Sequence, residues 1–265
     1  MLINNLFSVK DKVVLVTGGS RGIGEMLAHG YCANGAKVYI SARSKDVVIE
    51  TAKRISDRYD SECIGIECDI SSIEGVNKLC NEMKKNEDHL DILVNNAGAA
   101  WAAPIENFPE IGWDKVMDIC VKSMFFLTQG LLPMLEKTAS REDPSRVINI
   151  GSIDGINNPE FKNFSYSAAK SAVHHMTRVL AAELVKKHIN VNAIAPGPFP
   201  SKMLGSAVEF NYSELEKRNP RGRIGTAEDI AGLAIFLSSR AGAYTIGEVI
   251  TCDGGLVASA GHDLS

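Results

Sequence analysis

Seven short runs of β-branched and aliphatic residues punctuate the chain, at 12–17 (KVVLVT), 37–41 (KVYIS), 63–67 (CIGIE), 91–94 (DILV), 146–150 (RVINI), 189–195 (INVNAIA) and 248–252 (EVITC). Runs this short, apolar nearly throughout, predict strands buried on both faces. Between them, apolar residues return at every third or fourth position. Val76, Leu79, Cys80 and Met83 form one such stripe, and Ala169, Val173, Met176, Leu180 and Leu184 form another. A third, through Val116, Met117, Cys120, Val121, Met124, Phe125, Thr128 and Leu131, predicts one continuous amphipathic helix with Cys120 as a small buried residue. Strand and helix alternate along the chain, which predicts an α/β fold: one parallel sheet with helices on both faces. The rhythm breaks at 198–226 (PFPSKMLGSAVEFNYSELEKRNPRGRIGT), where a long irregular insert predicts a substrate loop or lid. No internal repeat or low-complexity linker divides the chain, so residues 1–265 are read as a single domain.

Composition narrows the function classes. With 45% hydrophobic and 23% charged residues the chain can build a full core. A net charge of −4 without a Lys/Arg block argues against nucleic acid and anionic membrane as partners. No apolar run approaches the length of a membrane span and the start MLINNLFSVKDK lacks the marks of a signal peptide, so a cytoplasmic location is expected. Six cysteines without a C-x-x-C pair read as reduced core thiols, and no metal site is expected. His174 and His175 lack a third ligand at metal spacing and read as helix packing or surface.

The segment VVLVTGGSRGIGEMLAHGYCANGAKVYI is strand, glycine loop, helix and strand. Gly18, Gly22 and Gly24 are spaced G-x-x-x-G-x-G, which permits a tight turn and brings backbone N–H groups at a helix start close to a pyrophosphate. Sites for NAD carry an acidic residue about 20 residues past the glycines to hold the ribose hydroxyls. Here the second strand ends YISARS, with Arg43 beside that position and Arg21 within the loop. Two guanidiniums there suit the 2′-phosphate of NADP, the other reading being two solvated surface arginines.

FSYSAAK sets Tyr166 and Lys170 four residues apart, on one face of a helix, with Ser152 at a strand end upstream in INIGSIDG. A phenol titrates near about 10 and needs an adjacent cation to act as an acid or base at neutral pH. Lys170 can supply it and Ser152 can hydrogen-bond a substrate oxygen. Spacing alone leaves ordinary helix surface as the other reading.

Taken in order, TGGSRGIG (17–24), NNAG (95–98), Ser152 with YSAAK (166–170), PG (196–197) and DGG (253–255) resemble the short-chain dehydrogenases/reductases over nearly the whole chain. The resemblance implies a single-domain Rossmann fold with a seven-stranded parallel sheet, NADP(H) as cofactor and a homotetramer. It implies that Gly18, Gly19, Ser20, Arg21, Gly22, Ile23 and Gly24 wrap the cofactor phosphates, that Arg43 meets the 2′-phosphate, and that Asp69 and Ile70 border the adenine. Asn96 would lie along the cofactor or serve as a strand-end hydrogen bonder. The backbone of Phe199 would reach the nicotinamide amide, with Ser201 where the family often has Thr. Tyr166 would protonate the substrate oxygen as hydride arrives, Lys170 would lower its pKa and hold the nicotinamide ribose, and Ser152 would orient the carbonyl.

One position departs from that pattern. The family carries a catalytic Asn in a pattern like W-x-x-V-x-x-x-N-V, and here Trp113, Val116 and Val121 keep the frame while Cys120 takes the Asn place. Cys retains the main-chain carbonyl and loses the amide, so a retuned proton relay is expected. NNAGAAWAAPIE, WDKVM, RVINIGSIDGI and NVNAIAPGPFPSKM resemble, within the family, the bacterial NADPH-dependent 3-oxoacyl reductases. The implied substrate is a 3-oxoacyl thioester on acyl carrier protein or coenzyme A, with Ser152, Ile153, Asp154, Trp101 and Met203 around it. Arg221 and Arg223 could attract an acidic carrier, the other reading being ordinary exposed loop arginines. Asp154 suits a polar, hydroxylated substrate instead, which keeps open an NADP(H)-dependent dehydrogenase of a small alcohol, sugar or cyclic ketone. A cofactor-binding protein with little turnover is a further reading.

Overall fold

In the computed structural model, which describes residues 3–159, 161–201 and 212–260, every predicted strand is present to within a residue or so. The order is α1 (Ile3–Leu6), β1 (Val13–Thr17), α2 (Gly22–Ala33), β2 (Lys37–Ala42), α3 (Lys45–Tyr59), β3 (Cys63–Glu67), α4 (Ile73–Asn86), β4 (Ile92–Asn95), α5 (Glu110–Met117), α6 (Ser123–Glu136), β5 (Ser145–Ile150), α7 (Phe164–Leu184), β6 (Ile189–Pro196), α8 (Tyr212–Arg218), α9 (Ala227–Ser238) and β7 (Val249–Cys252). The seven strands form one sheet in the order β3-β2-β1-β4-β5-β6-β7, all neighbours parallel. Winding reverses between β1 and β4, and such a switch point opens a crevice at the carboxyl ends of the strands.

Alternate strand residues feed two cores. Val14, Val16, Val38, Ile40 and Ile148 pack with Leu27, Tyr31, Ile55 and Ile230 of α2, α3 and α9. Leu15, Tyr39, Leu93, Val147 and Val191 pack on the other face with Leu79, Met83, Leu131 and Leu184 of α4, α6 and α7. Each large aliphatic side chain so buried contributes about 2 kcal/mol.

Three expectations need correction. The helix through Cys120 is not uniform: Asp118–Lys122 is a π turn, and the Ser123 N–H donates back to the Asp118 carbonyl. The extra residue offsets α5 from α6, so Cys120 faces Ala169 and Val116 while Leu127, Leu131 and Leu135 line the sheet side. The whole rod Glu110–Glu136 is long and apolar enough to cross a membrane by length and composition, yet that leucine stripe is core. On α7 the buried face includes the polar His174 and Thr177, while Met176 and Leu180 flank it half-buried. Finally, the insert at 198–226 contains a helix, α8, and its described parts are anchored: Gly225 N donates to Pro198 O and Asn219 Nδ2 donates to Asp253 O.

Two polar clusters frame the sheet. Near its carboxyl end, Asn95 Nδ2 donates to Thr128 Oγ1 (3.1 Å) and Asn149 Oδ1 (2.9 Å), and Asn149 Nδ2 donates to Thr177 Oγ1 (2.9 Å). This chain fixes β4 and β5 against α6 and α7. At the amino end, Lys12 Nζ meets Asp91 (3.2 Å) and Asp143 (2.6 Å), Asp91 Oδ2 accepts from Val13 N, and the buried Arg146 donates to Ser239 O.

Candidate active site

The glycine loop after β1 fits the switch-point crevice. Gly18 (φ +65°) and Gly22 (φ +56°) use backbone that other residues reach with strain. A Cβ on Gly24 would lie 2.4 Å from Asn96 Nδ2, so the helix start can press against the end of β4 only as glycine. Asn96 itself is a clamp: Nδ2 donates to Thr17 O (2.7 Å) and Gly18 O (3.3 Å), and its backbone N–H donates to Thr17 Oγ1. That is the strand-end role, and it acts on the cofactor loop by holding its first glycine. No side chain caps α2 at Arg21, which leaves the first-turn N–H groups available to an anion. Arg21 and Arg43 are both exposed, at the ends of the loop and of β2.

Tyr166 and Lys170 project from α7 toward the turn that follows β5. Lys170 is 4% exposed, its Nζ donates to Ile150 O (2.7 Å) and sits 5.4 Å from the centre of the Tyr166 ring. Ser152 lies beside the Tyr166 hydroxyl, and Ser152 Oγ accepts from Asp154 N (3.1 Å). Burial raises the Tyr166 pKa and the neighbouring Cys120 and Asp154 add to this, with Ser152 pulling the other way. Burial lowers the Lys170 pKa, against Cys120 and Asp154. The phenol is therefore a protonated acid in this site at neutral pH, beside a lysine that lacks an ion-pair partner among the described residues.

Ser, Tyr and Lys so arranged under a glycine loop can protonate a carbonyl oxygen beside a dinucleotide. The family model described as enoyl-(acyl carrier protein) reductase matches residues 18–257. The chain is a short-chain dehydrogenase/reductase. It is 46% identical over 255 residues to the rhamnolipids biosynthesis 3-oxoacyl-[acyl-carrier-protein] reductase of Pseudomonas aeruginosa, covering 94% of this chain and 97% of that one. It is 34% identical over 264 residues to the 2-dehydro-3-deoxy-D-gluconate 5-dehydrogenase of Escherichia coli, covering 97% and 100%. The solved Pseudomonas aeruginosa RhlG/NADP active-site complex superposes with a TM-score of 0.91 at 45% identity, covering 96% of this chain and 99% of that one.

Other expected residues of this dehydrogenase/reductase take definite places. Cys120 is buried, its Sγ donating to Ala99 O (3.5 Å), and a Cβ on Gly98 would lie 3.5 Å from that sulfur and 3.8 Å from Lys170 Nζ. The Asn position of the family thus does border the lysine. Trp101 packs over Gly112, with Lys115 Nζ 5.5 Å from its ring, in the cluster that contains Cys120 and Tyr166. The Phe199 side chain is buried under Gly225, and Ser201 lies against Gly22. Asp69 Oδ1 accepts from Ser71 N beyond β3, next to the buried Ile70; Ser20, Ile23 and Ile153 are half-buried, Gly19 fully. Asp154 is half-buried and accepts from Asn163 Nδ2 (2.8 Å), and burial raises its pKa. Met203 lies outside the described residues.

Contacts also place two further pairs of residues. Arg223 grips Asp229 through both guanidinium nitrogens (2.6 and 3.0 Å) and completes the start of α9, while Arg221 stays exposed. His175 is exposed, but His174 is buried, and Ser152 N donates to its Nε2 (3.4 Å). Thr17, Asn149 and His174 make buried polar contacts around the site that periodicity missed, and the signal for them was a polar residue on an apolar face.

Proposed function

We propose that this chain reduces a 3-oxoacyl thioester, carried on acyl carrier protein or coenzyme A, to the 3-hydroxyacyl form with NADPH. The observation that carries the reductase chemistry is the Ser152, Tyr166 and Lys170 constellation at the carboxyl end of β5, facing the glycine loop across the switch point. The loop fits a dinucleotide on its own terms, since Gly18 and Gly22 turn the backbone through positive φ and the uncapped α2 presents free N–H groups. Arg21 and Arg43 fit a 2′-phosphate, and NADP is what the superposed Pseudomonas complex holds. The thioester substrate is supported by the 46% identical relative, whose name states that activity.

Bound there, the nicotinamide supplies a hydride to the carbonyl carbon. Ser152 keeps its own proton to offer the carbonyl oxygen because Asp154 N already donates to Oγ. Tyr166 gives its proton to that oxygen as negative charge develops. Lys170, fixed by Ile150 O, stabilises the phenolate left behind and would hold the nicotinamide ribose. Cys120 offers its main-chain carbonyl and a thiol in place of the family's amide. The segment 198–226 would cover the substrate. The family resemblance implies a homotetramer, and exposed Ile111, Trp113 and Phe126 on α5 and α6 offer apolar surface for contact between copies, to be read from solution mass.

A polar substrate is the second reading, favoured by the half-buried Asp154 and by the gluconate-type relative. A panel of 3-oxoacyl thioesters, polyols and cyclic ketones, each with NADPH and NADH, separates the two. Turnover of thioesters with NADPH is expected. Good turnover of polyols with none of thioesters would overturn the substrate assignment, and a strong NADH preference would overturn the role of Arg21 and Arg43. Loss of NADPH oxidation in Tyr166→Phe excludes a binding protein with little turnover.

A further inference from the structure

The turn that carries Ser152 has glycine at both ends, GSIDG, and the structure shows what those glycines make room for. A Cβ on Gly151 would lie 2.1 Å from His174 Nε2, and one on Gly155 would lie 2.8 Å from His174 Cε1. The imidazole therefore fills the space between the two ends of the turn. It holds one end by a hydrogen bond and packs on the other: Ser152 N donates to Nε2 (3.4 Å), and the ring lies against Gly155. Because Nε2 accepts, the proton of the neutral ring belongs on Nδ1. His174 is one helical turn beyond Lys170 and is 5% exposed.

We infer that His174 is a positioning residue for the reductase reaction, a neutral Nδ1–H imidazole that fixes the Ser152 turn relative to the Tyr166–Lys170 face of α7. This rests on the carbonyl-reductase reading and deepens it. The ring links α7 directly to the backbone of Ser152, so a shift of the turn moves Ser152 Oγ away from the phenol. The charged groups around it agree with a neutral ring. Lys170 and Arg178 are its cationic neighbours on α7 and the turn contributes a backbone group, so burial and the two cations push its pKa down to about 4.

His174→Leu keeps the bulk and removes the acceptor, whereas Gln can place an amide oxygen where Nε2 lies. In His174→Leu, kcat should fall about 30-fold with the KM for NADPH unchanged, the size of effect expected from a small misplacement near the chemistry. His174→Gln should recover most of that loss, and His174→Leu should add almost nothing on a Ser152→Ala background, since both act through the same hydroxyl. Wild-type kcat in His174→Leu, or additive losses with Ser152→Ala, would overturn the inference. The imidazole nitrogen shifts in the intact protein give a readout independent of turnover: a neutral Nδ1–H ring at pH 7 is expected, and an Nε2–H or doubly protonated ring would overturn it even if the substrate assignment stands. Absence of turnover with every ketone beside the expected nitrogen shifts would instead fault the reductase reading.

Discussion

Two lysines mark opposite ends of the same sheet. Lys12, at the amino end before β1, touches two carboxylates. Burial pulls its pKa down, but the hydrogen bonds and charges of Asp143 and Asp91 outweigh that and leave it raised. Lys170, at the carboxyl end, is more deeply buried, holds one main-chain carbonyl and has a lowered pKa. The amino end thus closes its charges into pairs that stabilise the fold, and the carboxyl end leaves a buried cation for chemistry at a cost in stability. The same residue type serves opposite purposes because one is paired and the other is not.

The sharpest way to break this contrast is to remove each cation. Lys170→Met should lower kcat by about 10³-fold, the scale of a lost acid–base partner, while leaving the urea midpoint unchanged or higher. Loss of stability in that variant would mean that Lys170 is structural after all. Asp91→Ala should do the converse. It leaves the Val13 N–H without its acceptor at 2.8 Å and Lys12 with Asp143 alone, and should cost about 2 kcal/mol of unfolding free energy with kcat per folded molecule preserved.

How far each end could be read from the sequence follows from the same contrast. Strands, glycine loop, Tyr166 and Lys170 were legible because buried parallel strands read as apolar runs and because the chemistry demands fixed residue types at fixed spacing. The amino-end cluster was not, since Lys12, Asp91, Asp143 and Arg146 come from separate elements and carry no local pattern. His174 was legible as packing, but its contact with the Ser152 turn was not, since Ser152 is joined to it by tertiary structure alone. The π turn at Asp118–Lys122 was hidden because a stripe at helical spacing cannot show one extra residue in the hydrogen-bond ladder. Asn96 was legible as a site residue, and its Nδ2 turned out to face Thr17 O and Gly18 O.

Cys120 sharpens the comparison at the catalytic end, since its side chain borders Lys170 in place of an amide. Cys120→Asn should change kcat by about threefold and displace the pH profile, because the main-chain carbonyl persists in both and only the side chain differs. Cys120→Ser is the control of similar size. An unchanged rate and profile in Cys120→Asn would show that the backbone carbonyl alone sustains the relay.

The smallest effect tests the contrast most directly, through the sign of the pH dependence of stability. Lys12 has a raised pKa in the fold, so its contribution is complete below the unfolded value of about 10.4 and is lost as pH climbs through the folded one. Lys170 has a lowered pKa, so between its folded value and about 10.4 the unfolded chain binds more protons and stability rises with pH. Urea midpoints measured from pH 7 to 11 should therefore lose part of their high-pH decline in Lys12→Met and part of their rise below about pH 10 in Lys170→Met. Slopes that change in the same direction in the two variants would show that the lysines are not opposed, and that pairing does not distinguish the two ends of the sheet.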